Sequence, residues 1–491
     1  MANEIELKLS FPPAARQTVL AHPVFARAAL LTHATLTNTY FDTPALALSA
    51  RRIALRTRRA GEQWLQTVKC AADSLGGLSS RPEWEQPFDG DFDFTGIDAP
   101  AVRKQLERLR GELVPLFTTD FERHTYRLRP HEGVEILLMV DHGGIRANDR
   151  GEPISEVELE LVQGSADDLF ALALELAADL PLLPYDPSKA ARGYRLFRQQ
   201  APAPEGFAPS APPAAPGLAH FRDTALRLAA LWAANLHGAL ASDDPEYLHQ
   251  MRVALVRLRH LLRLFAPVLP PHFTGHWQTV LRDETRALAA PRELQVLAAL
   301  LHGATEGDSD ARLTGLIAHA EAAARQAREE AVARLAAPGA GAVLLAFNRA
   351  LLALPVTHRT PAGFVPDTLA ALHAAARRRL KRARKQRTPE RLHALRIAIK
   401  RLRHACEVLL PDSRATRRDV RRLAREQGRL GRVHDLAVAI PQLADWARAQ
   451  PALAPAESFV AGWLAATSLK LRRTILRDAA KALARRRWRR P

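Results

Sequence analysis

Two segments alternate charged and apolar residues with a period of two, which predicts β-strands that each carry a row of carboxylates. Successive strand side chains point to opposite faces, so Glu4, Glu6 and Lys8 share one face of the first segment. The second segment places Glu156, Glu158 and Glu160 together in the same way. Carboxylates in a row repel one another unless a cation lies between them, and oxygen ligands suit Mg²⁺ or Mn²⁺. A solvated outer face would explain one such strand, but two of them, with the basic strands described below, favour a cation site.

The chain divides into two halves of opposite charge balance. Its 491 residues predict two or three domains. Residues 1–200 hold 23 Lys and Arg against 28 Asp and Glu, whereas residues 201–491 hold 47 against 24. Six prolines in residues 201–216 exclude a helix interior or a central strand there. We therefore predict a domain at 1–200, a Pro-rich linker at 201–216, and a basic domain at 217–491 that binds a polyanion.

Three features of the chain predict a soluble cytoplasmic protein. The only two cysteines, Cys70 and Cys406, lie far apart in the sequence and form no disulfide framework. No apolar run reaches the roughly 18 residues that a membrane span needs, so we expect no membrane partner. Glu4 and Glu6 stand where a signal peptide would be apolar.

The pattern before the linker is mostly that of strands. Eight segments near 3–10, 36–42, 52–60, 63–70, 81–88, 121–129, 134–141 and 154–162 have strand character, and helices are predicted near 12–20, 99–110, 166–179 and 187–198. Charged residues on one face of so many strands indicate a closed antiparallel β-barrel with a polar interior. The predicted class of this half is α+β.

The pattern after the linker is helical throughout, and it repeats. Residues 247–260 return as residues 391–404 at an offset of 144, and a weaker echo relates 288–294 to 430–436. We therefore predict an all-α half built as a pair of related helical bundles, near 217–345 and 364–487.

A closed barrel would bring opposite charges into one lumen. The predicted cations, which alternate with apolar residues on their strands or open a helix, are Lys8, Arg56, Arg58, Lys69, Arg123, Lys189 and Arg192. The predicted anions are Glu4, Glu6, Asp141, Glu156, Glu158 and Glu160. Arginine and lysine can bind a short, highly charged phosphate chain, and the carboxylates can bind Mg²⁺ or Mn²⁺. Glu83 and Glu85 either serve catalysis or pair with arginines of the lumen.

These residues resemble the signature of the CYTH superfamily, the triphosphate tunnel metalloenzymes. Glu4-Ile5-Glu6-Leu7-Lys8 is similar to its ExExK motif, and the resemblance continues through 55–58, 67–69, 81–85, 119–123, 156–160 and 188–194. It implies that Lys8, Arg56, Arg58, Lys69, Arg123 and Lys189 bind triphosphate. It further implies metal binding by Glu4, Glu6, Glu158 and Glu160, with Asp141 and Glu156 as further candidates. Within the family, bacterial inorganic triphosphatase is the member that this chain most resembles.

The repeated helices each carry a basic stripe. At about 100° per residue, one stripe contains His249, Arg252, Arg259, His260 and Arg263, and the other contains His393, Arg396, Lys400, Arg403 and His404. The repeated His-x-x-Arg helix resembles the CHAD domain, which implies binding of inorganic polyphosphate and an association with polyphosphate granules. Metal chelation is an alternative, but His249 and His260 are separated by about 16 Å along one helix, too far to share an ion. Arginines at 485–490 add charge at the C-terminal end.

Two other functions remain open from the sequence. An adenylate cyclase could use the same barrel, although no residues are assignable to a purine pocket. A nucleic-acid-binding protein could use the basic half, but single-strand binders interleave aromatic residues for base stacking, and the aromatic residues here are scattered. A triphosphatase with a polyphosphate-binding domain is therefore the preferred hypothesis.

Overall fold

The computed structural model describes residues 3–70, 74, 76–209, 212, 216–304, 311–355 and 360–484. Part of the Pro-rich linker and the arginines at 485–490 lie outside these residues. The chain forms two compact units, the first from Met1–Pro204 with Arg334–Leu352 and the second from Glu205–Ala333 with Ala353–Pro491. The domain boundaries predicted from the sequence stay a prediction. The contacts assign Arg334–Leu352 to the first unit, although the sequence places these residues in the basic half.

The first unit is built on a closed antiparallel barrel of eight strands, as predicted. The strands are β1 (Asn3–Ser10), β2 (Ala29–Asp42), β3 (Ile53–Ala60), β4 (Gln63–Cys70), β5 (Leu78–Pro87), β6 (Val114–Leu128), β7 (Glu135–Ala147) and β8 (Arg150–Gln163). Their order is β5-β4-β3-β2-β6-β7-β8-β1, and β1 pairs with β5 to close the barrel. A short strand, β9 (Leu183–Pro184), also pairs with β1.

Several strands are longer than the sequence pattern predicts. β2 begins at Ala29, and its first residues pair with the end of β6, although Leu30 and Leu31 interrupt the apolar–polar alternation. β6 includes Pro115, a residue that argues against a strand, at a register shift opposite Phe41. β7 continues through Gly143, where an added Cβ would lie 2.4 Å from the Cα of Phe121. A glycine at this position therefore permits close packing of two strands instead of ending one.

Helices cover the outside of the barrel. They are α1 (Arg16–Leu20), α2 (Pro23–Ala26), α3 (Pro100–Leu109), α4 (Ala166–Asp179), α5 (Lys189–Phe197) and α11 (Ala342–Leu352). α4 begins with a capping box between Ser165 and Asp168, and its apolar face packs on β1 and β8 in the largest core cluster of the unit. Ser188 caps the start of α5, because its hydroxyl accepts from the Ala191 N–H, and this cap places Lys189 at the first helical position.

The second unit consists of helices in two related sets, which confirms the predicted all-α half. The first set is α6 (Leu218–Ala241), α7 (Pro245–Leu264), α8 (Pro271–Ala287), α9 (Ala289–Ala304) and α10 (Ala311–Ala336), whose last three residues belong to the first unit. The second set is α12 (Phe364–Lys385), α13 (Pro389–Leu409), α14 (Arg414–Ala449) and α15 (Ala454–Leu483). At the 144-residue offset, α14 of the second set corresponds to both α8 and α9 of the first set. The helix that is continuous in the second copy is therefore divided into two helices in the first.

Part of the predicted linker is bound to the second unit. The Asn235 side chain accepts from the Glu205 N–H at 3.0 Å and donates to the Glu205 carbonyl at 2.9 Å. Arg227 donates to the Ala208 carbonyl at 2.8 Å, and Phe207 lies 4.5 Å from the Arg257 guanidinium. Residues 205–208 are therefore held against α6 and α7 and do not extend freely. Within the described part of the chain, no helix has the length and hydropathy of a membrane span.

Candidate functional site

The barrel encloses a cavity of about 700 Å³, which we call the lumen. Both signs of charge line it. The cations are Lys8, Arg52, Arg56, Arg58, Lys69, Arg81, Arg123 and Lys189, and the anions are Glu4, Glu6, Glu83, Glu85, Glu158 and Glu160. Strand alternation explains the arrangement, because the apolar neighbours Leu7, Leu55 and Val68 are buried in the outer cores.

One region of the lumen has more positive charge than its carboxylates neutralise. Arg58 donates to the Asn38 amide oxygen at 3.0 Å, but the nearest carboxylate oxygen, on Glu85, is 3.8 Å away. Burial, together with the charges of Arg56 and Arg123, lowers the pKa of Arg58 to about 10. Among the described residues, the Arg56 Nε–H has no hydrogen-bond partner. This region is suited to an anion.

A second region has more negative charge than its cations neutralise. Lys69 Nζ lies 3.0 Å from Glu4 and 2.6 Å from Glu83, and Arg81 contacts Glu6 at 2.7 Å. Despite these cations, burial and the charges of Glu4, Glu83 and Glu6 raise the pKa of Glu160 to about 7. A divalent cation would relieve this repulsion.

Lys189 joins three carboxylates at the end of the lumen near α5. Its ammonium contacts Asp141 at 2.7 Å, Glu158 at 2.9 Å, and Glu156. Burial lowers the pKa of Lys189, but these carboxylates outweigh it and raise that pKa above its ordinary value. Arg123 forms a two-pronged contact with Asp141, at 2.7 and 2.6 Å, and also contacts Glu158 at 2.5 Å. Asp141 and Glu156 are fully buried behind this cationic layer.

The structure brings most of the predicted lumen residues together, but it separates three from the cavity wall. Asp141, Glu156 and Arg192 do not line the lumen. Arg192 contacts Glu152 at 2.6 Å and Glu156 at 3.4 Å, and donates to the Pro153 carbonyl. It therefore supports the carboxylate row from behind. The substrate and metal roles of the residues named from the sequence stay a prediction.

Several lumen residues were not named as site residues from the sequence. Arg81 contacts Glu4 and Glu6, and its period-two relation to Glu83 and Glu85 could have indicated the shared face. Tyr40 lines the lumen and hydrogen-bonds to Arg56. Asn38 is buried and does not line the cavity, but it accepts from Arg58, a pairing that depends on the β2–β3 register and has no signal in the sequence.

The carboxylates of the lumen and of the buried group beside it are of the type that binds a hard divalent cation. Oxygen atoms of Asp141, Glu156 and Glu158 lie within 4.8 Å of one another, and all three are carboxylates, the donor type that Mg²⁺ and Mn²⁺ prefer. Lys189 contacts this group, whereas Glu160 lies in the region with excess negative charge. Because Lys189 and Arg123 already neutralise the buried group, the donors that remain for a divalent cation are on the side of the lumen that includes Glu4, Glu6, Glu158 and Glu160.

In the second unit, equivalent residues of the two helical copies meet. His260 and His404, which the 144-residue offset relates, lie with their Nδ1 atoms 2.8 Å apart. Arg403 must donate to His404 Nε2, at 3.0 Å, so His404 carries its proton on Nδ1 and donates it to His260. Burial lowers the pKa of His260 to about 2 and that of His404 well below its usual value, so both rings are neutral. The distance between His249 and His260, used above against metal binding by two histidines of one helix, concerns a single copy. It did not predict that His260 of one copy contacts His404 of the other.

A cluster of poorly compensated cations surrounds this contact between α7 and α13. Burial and the charges of Arg396, Arg252 and Arg403 lower the pKa of Lys400 to about 7. Burial also lowers the pKa of Arg252 and of Arg396. The Nε–H groups of these two arginines have no partner within the described chain. Such a cluster is suited to a polyanion.

The remaining predicted basic residues differ in how far they are neutralised. Arg403 contacts Glu407 at 2.9 Å and Gln427 at 3.0 Å, so part of its charge is compensated inside the bundle. The predicted cations at the margins of the cluster are His249, Arg259, Arg263 and His393, and burial lowers the pKa of each. Arg257 was not named as a site residue from the sequence. It contacts Glu407 at 2.7 Å, and Glu407 occupies in the second copy the position that Arg263 has in the first.

Family comparison gives a match in each half of the chain. Residues 2–194 match the model of the CYTH domain and residues 224–444 match the model of the CHAD domain, as the sequence resemblance implied. It is 33% identical over 203 residues to an inorganic triphosphatase of Haemophilus influenzae, an alignment that covers 41% of this chain and 56% of that protein. The chain thus spans little more than half the length of this curated relative.

The chain is also similar to solved structures. The crystal structure of the CHAD domain from the plant Ricinus communis is 28% identical, with a TM-score of 0.51, and the match covers 58% of this chain and 98% of that chain. A protein from Hippeastrum, described as a putative adenylyl cyclase with a dominant triphosphatase activity, matches 40% of this chain at 20% identity and a TM-score of 0.28.

Proposed function

We propose that the protein is a metal-dependent inorganic triphosphatase that hydrolyses triphosphate to pyrophosphate and phosphate. The observation that carries the proposal is the lumen, in which an arginine region with excess positive charge faces a carboxylate region with excess negative charge. The first suits phosphate oxygens and the second a divalent cation. The similarity to an inorganic triphosphatase supports the same substrate.

In this proposal, the chain binds and orients a linear anion. Arg56, Arg58 and Arg123 hold phosphoryl oxygens in the lumen, where exclusion of water strengthens each charge interaction. Lys8, whose ammonium donates to the Pro187 carbonyl at 2.5 Å, is held in place by the backbone. A bound Mg²⁺ or Mn²⁺ would neutralise phosphate charge and polarise the phosphorus under attack. Phosphoryl transfer needs positioning and charge neutralisation, so no nucleophilic side chain is required.

The decisive experiment measures phosphate release from triphosphate, pyrophosphate, ATP and thiamine triphosphate, with and without Mg²⁺, and cyclic AMP formation from ATP. We expect metal-dependent turnover with triphosphate as the preferred substrate. Preference for ATP with formation of cyclic AMP would replace the proposal with a cyclase. Full turnover after complete metal chelation would refute the metal requirement.

A pair of neighbouring arginines on β3 tests the assignment of the lumen. Arg58 faces the lumen, whereas Arg59 is exposed on the outer face and donates to the Gly61 carbonyl. Removal of a preorganised charge costs about 3–4 kcal/mol of transition-state stabilisation, so R58M should lower kcat/KM by about 10²–10³-fold. R59M should retain activity. Equal activities would show that Arg58 does not contact the substrate.

We further propose that the second unit binds inorganic polyphosphate without hydrolysing it. The support is the cation cluster between α7 and α13, in which burial and the like charges of Arg396 and Arg252 lower the pKa of Lys400. Bound phosphates would relieve this repulsion, and affinity should fall steeply with salt through counterion release. This role implies no base contacts, so we expect polyphosphate to bind more tightly than single-stranded RNA of matched charge.

Charge-matched variants test this binding surface. R396Q/K400Q should weaken polyphosphate binding more than R252Q/R259Q, because the second copy has Lys400 where the first has Val256. Substitution of Arg418 and Arg421, two exposed arginines of α14, controls for net charge. If all three double variants bind equally, the polyphosphate site lies elsewhere.

A further inference from the structure

Outside the lumen, two histidines and a glutamate meet on the wall of the barrel. His33 of β2 lies directly opposite His124 of β6 in the strand register, and Glu122 precedes His124 by two residues. Phe121 and Arg123 of the same strand line the lumen, so the alternation of side chains places Glu122 and His124 on the outer face. The fold therefore brings these three side chains together independently of the lumen site.

The three side chains converge through the atoms that bind metals. One carboxylate oxygen of Glu122, Oε1, hydrogen-bonds to His33 Nε2 and lies 3.8 Å from His124 Nε2. The two imidazole rings stack with centroids 4.0 Å apart and planes inclined by 16°. The three ligand atoms all lie within 4.8 Å of one another. A small rotation of the rings would thus bring two nitrogens and one oxygen around a single ion.

Features of the surrounding residues favour metal binding by these three side chains. Arg16 contacts the other oxygen of Glu122, Oε2, which orients the carboxylate and leaves Oε1 for the histidines. The His33 side chain is 52% exposed, which gives an ion and its solvent ligands access.

We propose that His33, Glu122 and His124 form a binding site for a transition-metal ion of the Zn²⁺ class on the outer wall of the barrel. Two imidazoles and one carboxylate, with a further position open to water, are a donor set typical of Zn²⁺, Co²⁺ or Ni²⁺. The lumen carboxylates are oxygen donors, which suit Mg²⁺ or Mn²⁺. The two sites therefore select different metals.

An ion at the outer site would join β2 to β6. Among the residues that the structure describes, the first part of β2, from Ala29 to Thr35, pairs only with β6 and so has one neighbouring strand. A shared metal ligand set would fix this pairing. Because the ion binds the folded barrel and not the unfolded chain, Zn²⁺ should raise the unfolding temperature of the first unit.

The test measures Zn²⁺ binding to the full-length protein in the presence of Mg²⁺, by calorimetry and by competition with a chromophoric chelator. We expect H33A and H124A each to lose one bound equivalent of Zn²⁺ and the Zn²⁺-induced rise in unfolding temperature. H131A is the matched control, because His131 is an exposed histidine of the same unit that contacts Asp168. It should retain both effects.

Co²⁺ provides a spectroscopic readout that does not depend on activity or folding yield. Wild-type protein and H131A should show a visible absorption spectrum different from that of the aqueous ion, and H33A should lose it. If H33A and H124A bind Zn²⁺ with the stoichiometry and affinity of the wild type, the site does not exist. A Co²⁺ spectrum that is unchanged in H33A would overturn the proposal equally.

Discussion

Substitution of Leu345 by alanine should destabilise the barrel unit, although this residue follows the barrel by more than 140 positions. Leu345 is fully buried on α11 and belongs to the core cluster that contains Leu7, Leu169 and Phe170. Arg349, also on α11, binds this helix to α4, because its guanidinium contacts both carboxylate oxygens of Asp167 at 2.6 and 2.7 Å. We therefore expect α11 to be part of the folded barrel unit.

The size of the effect follows from burial. Removal of a fully buried leucine side chain costs about 2–5 kcal/mol, and a change of 1 kcal/mol shifts the unfolding temperature of a unit this size by about 2–4 °C. L345A should therefore lower the temperature at which the proposed triphosphatase activity is lost by about 4–20 °C. Activity reports on the lumen, whereas a calorimetric scan of the whole chain would combine both units.

Two variants make the result specific. L30A removes a leucine of the same unit that is 56% exposed, and it should change the inactivation temperature by little. R349A breaks an exposed ion pair and should cost at most about 1 kcal/mol. If L345A is as stable as L30A, α11 does not complete the barrel core, and residues 1–200 would suffice for a stable barrel unit.

The barrel could be predicted from the sequence because a buried lumen and a buried outer core impose alternation on each strand. Where one face is less distinct, the prediction was incomplete: Leu30 and Leu31 follow each other at the start of β2, and Pro115 lies within β6. The place of α11 was not predictable. Its apolar residues resemble those of any amphipathic helix, and only long-range packing shows that Leu345 faces the barrel.

The candidate site was predictable in composition but less so in arrangement. Alternation selects Arg56, Arg58 and Lys69 as residues of one interior, and the structure places all three on the lumen wall. The position of Arg192 behind the wall depends on how α5 packs, which no local pattern records. Similarly, the 144-residue repeat relates His260 to His404, but it does not indicate that equivalent residues touch.

Three further predictions test the charge arrangement. K189M leaves the buried carboxylates Asp141, Glu156 and Glu158 without their ammonium and should cost about 3–5 kcal/mol of stability; thermal unfolding should show partial recovery in Mg²⁺, and a wild-type melting temperature would contradict the buried cluster. Chelation of divalent ions should abolish phosphate release while leaving polyphosphate binding intact, and loss of both would contradict separate sites. Polyphosphate affinity should fall as the pH rises above 7. The pKa of Lys400 in the free protein is about 7, and bound phosphates raise it, so the charged form contributes fully below pH 7 and progressively less above it. A single proton changes the dissociation constant by at most about tenfold per pH unit in this range. K400R, which stays charged, should flatten this dependence in a titration at constant salt, and an equally steep fall in K400R would show that another group is responsible.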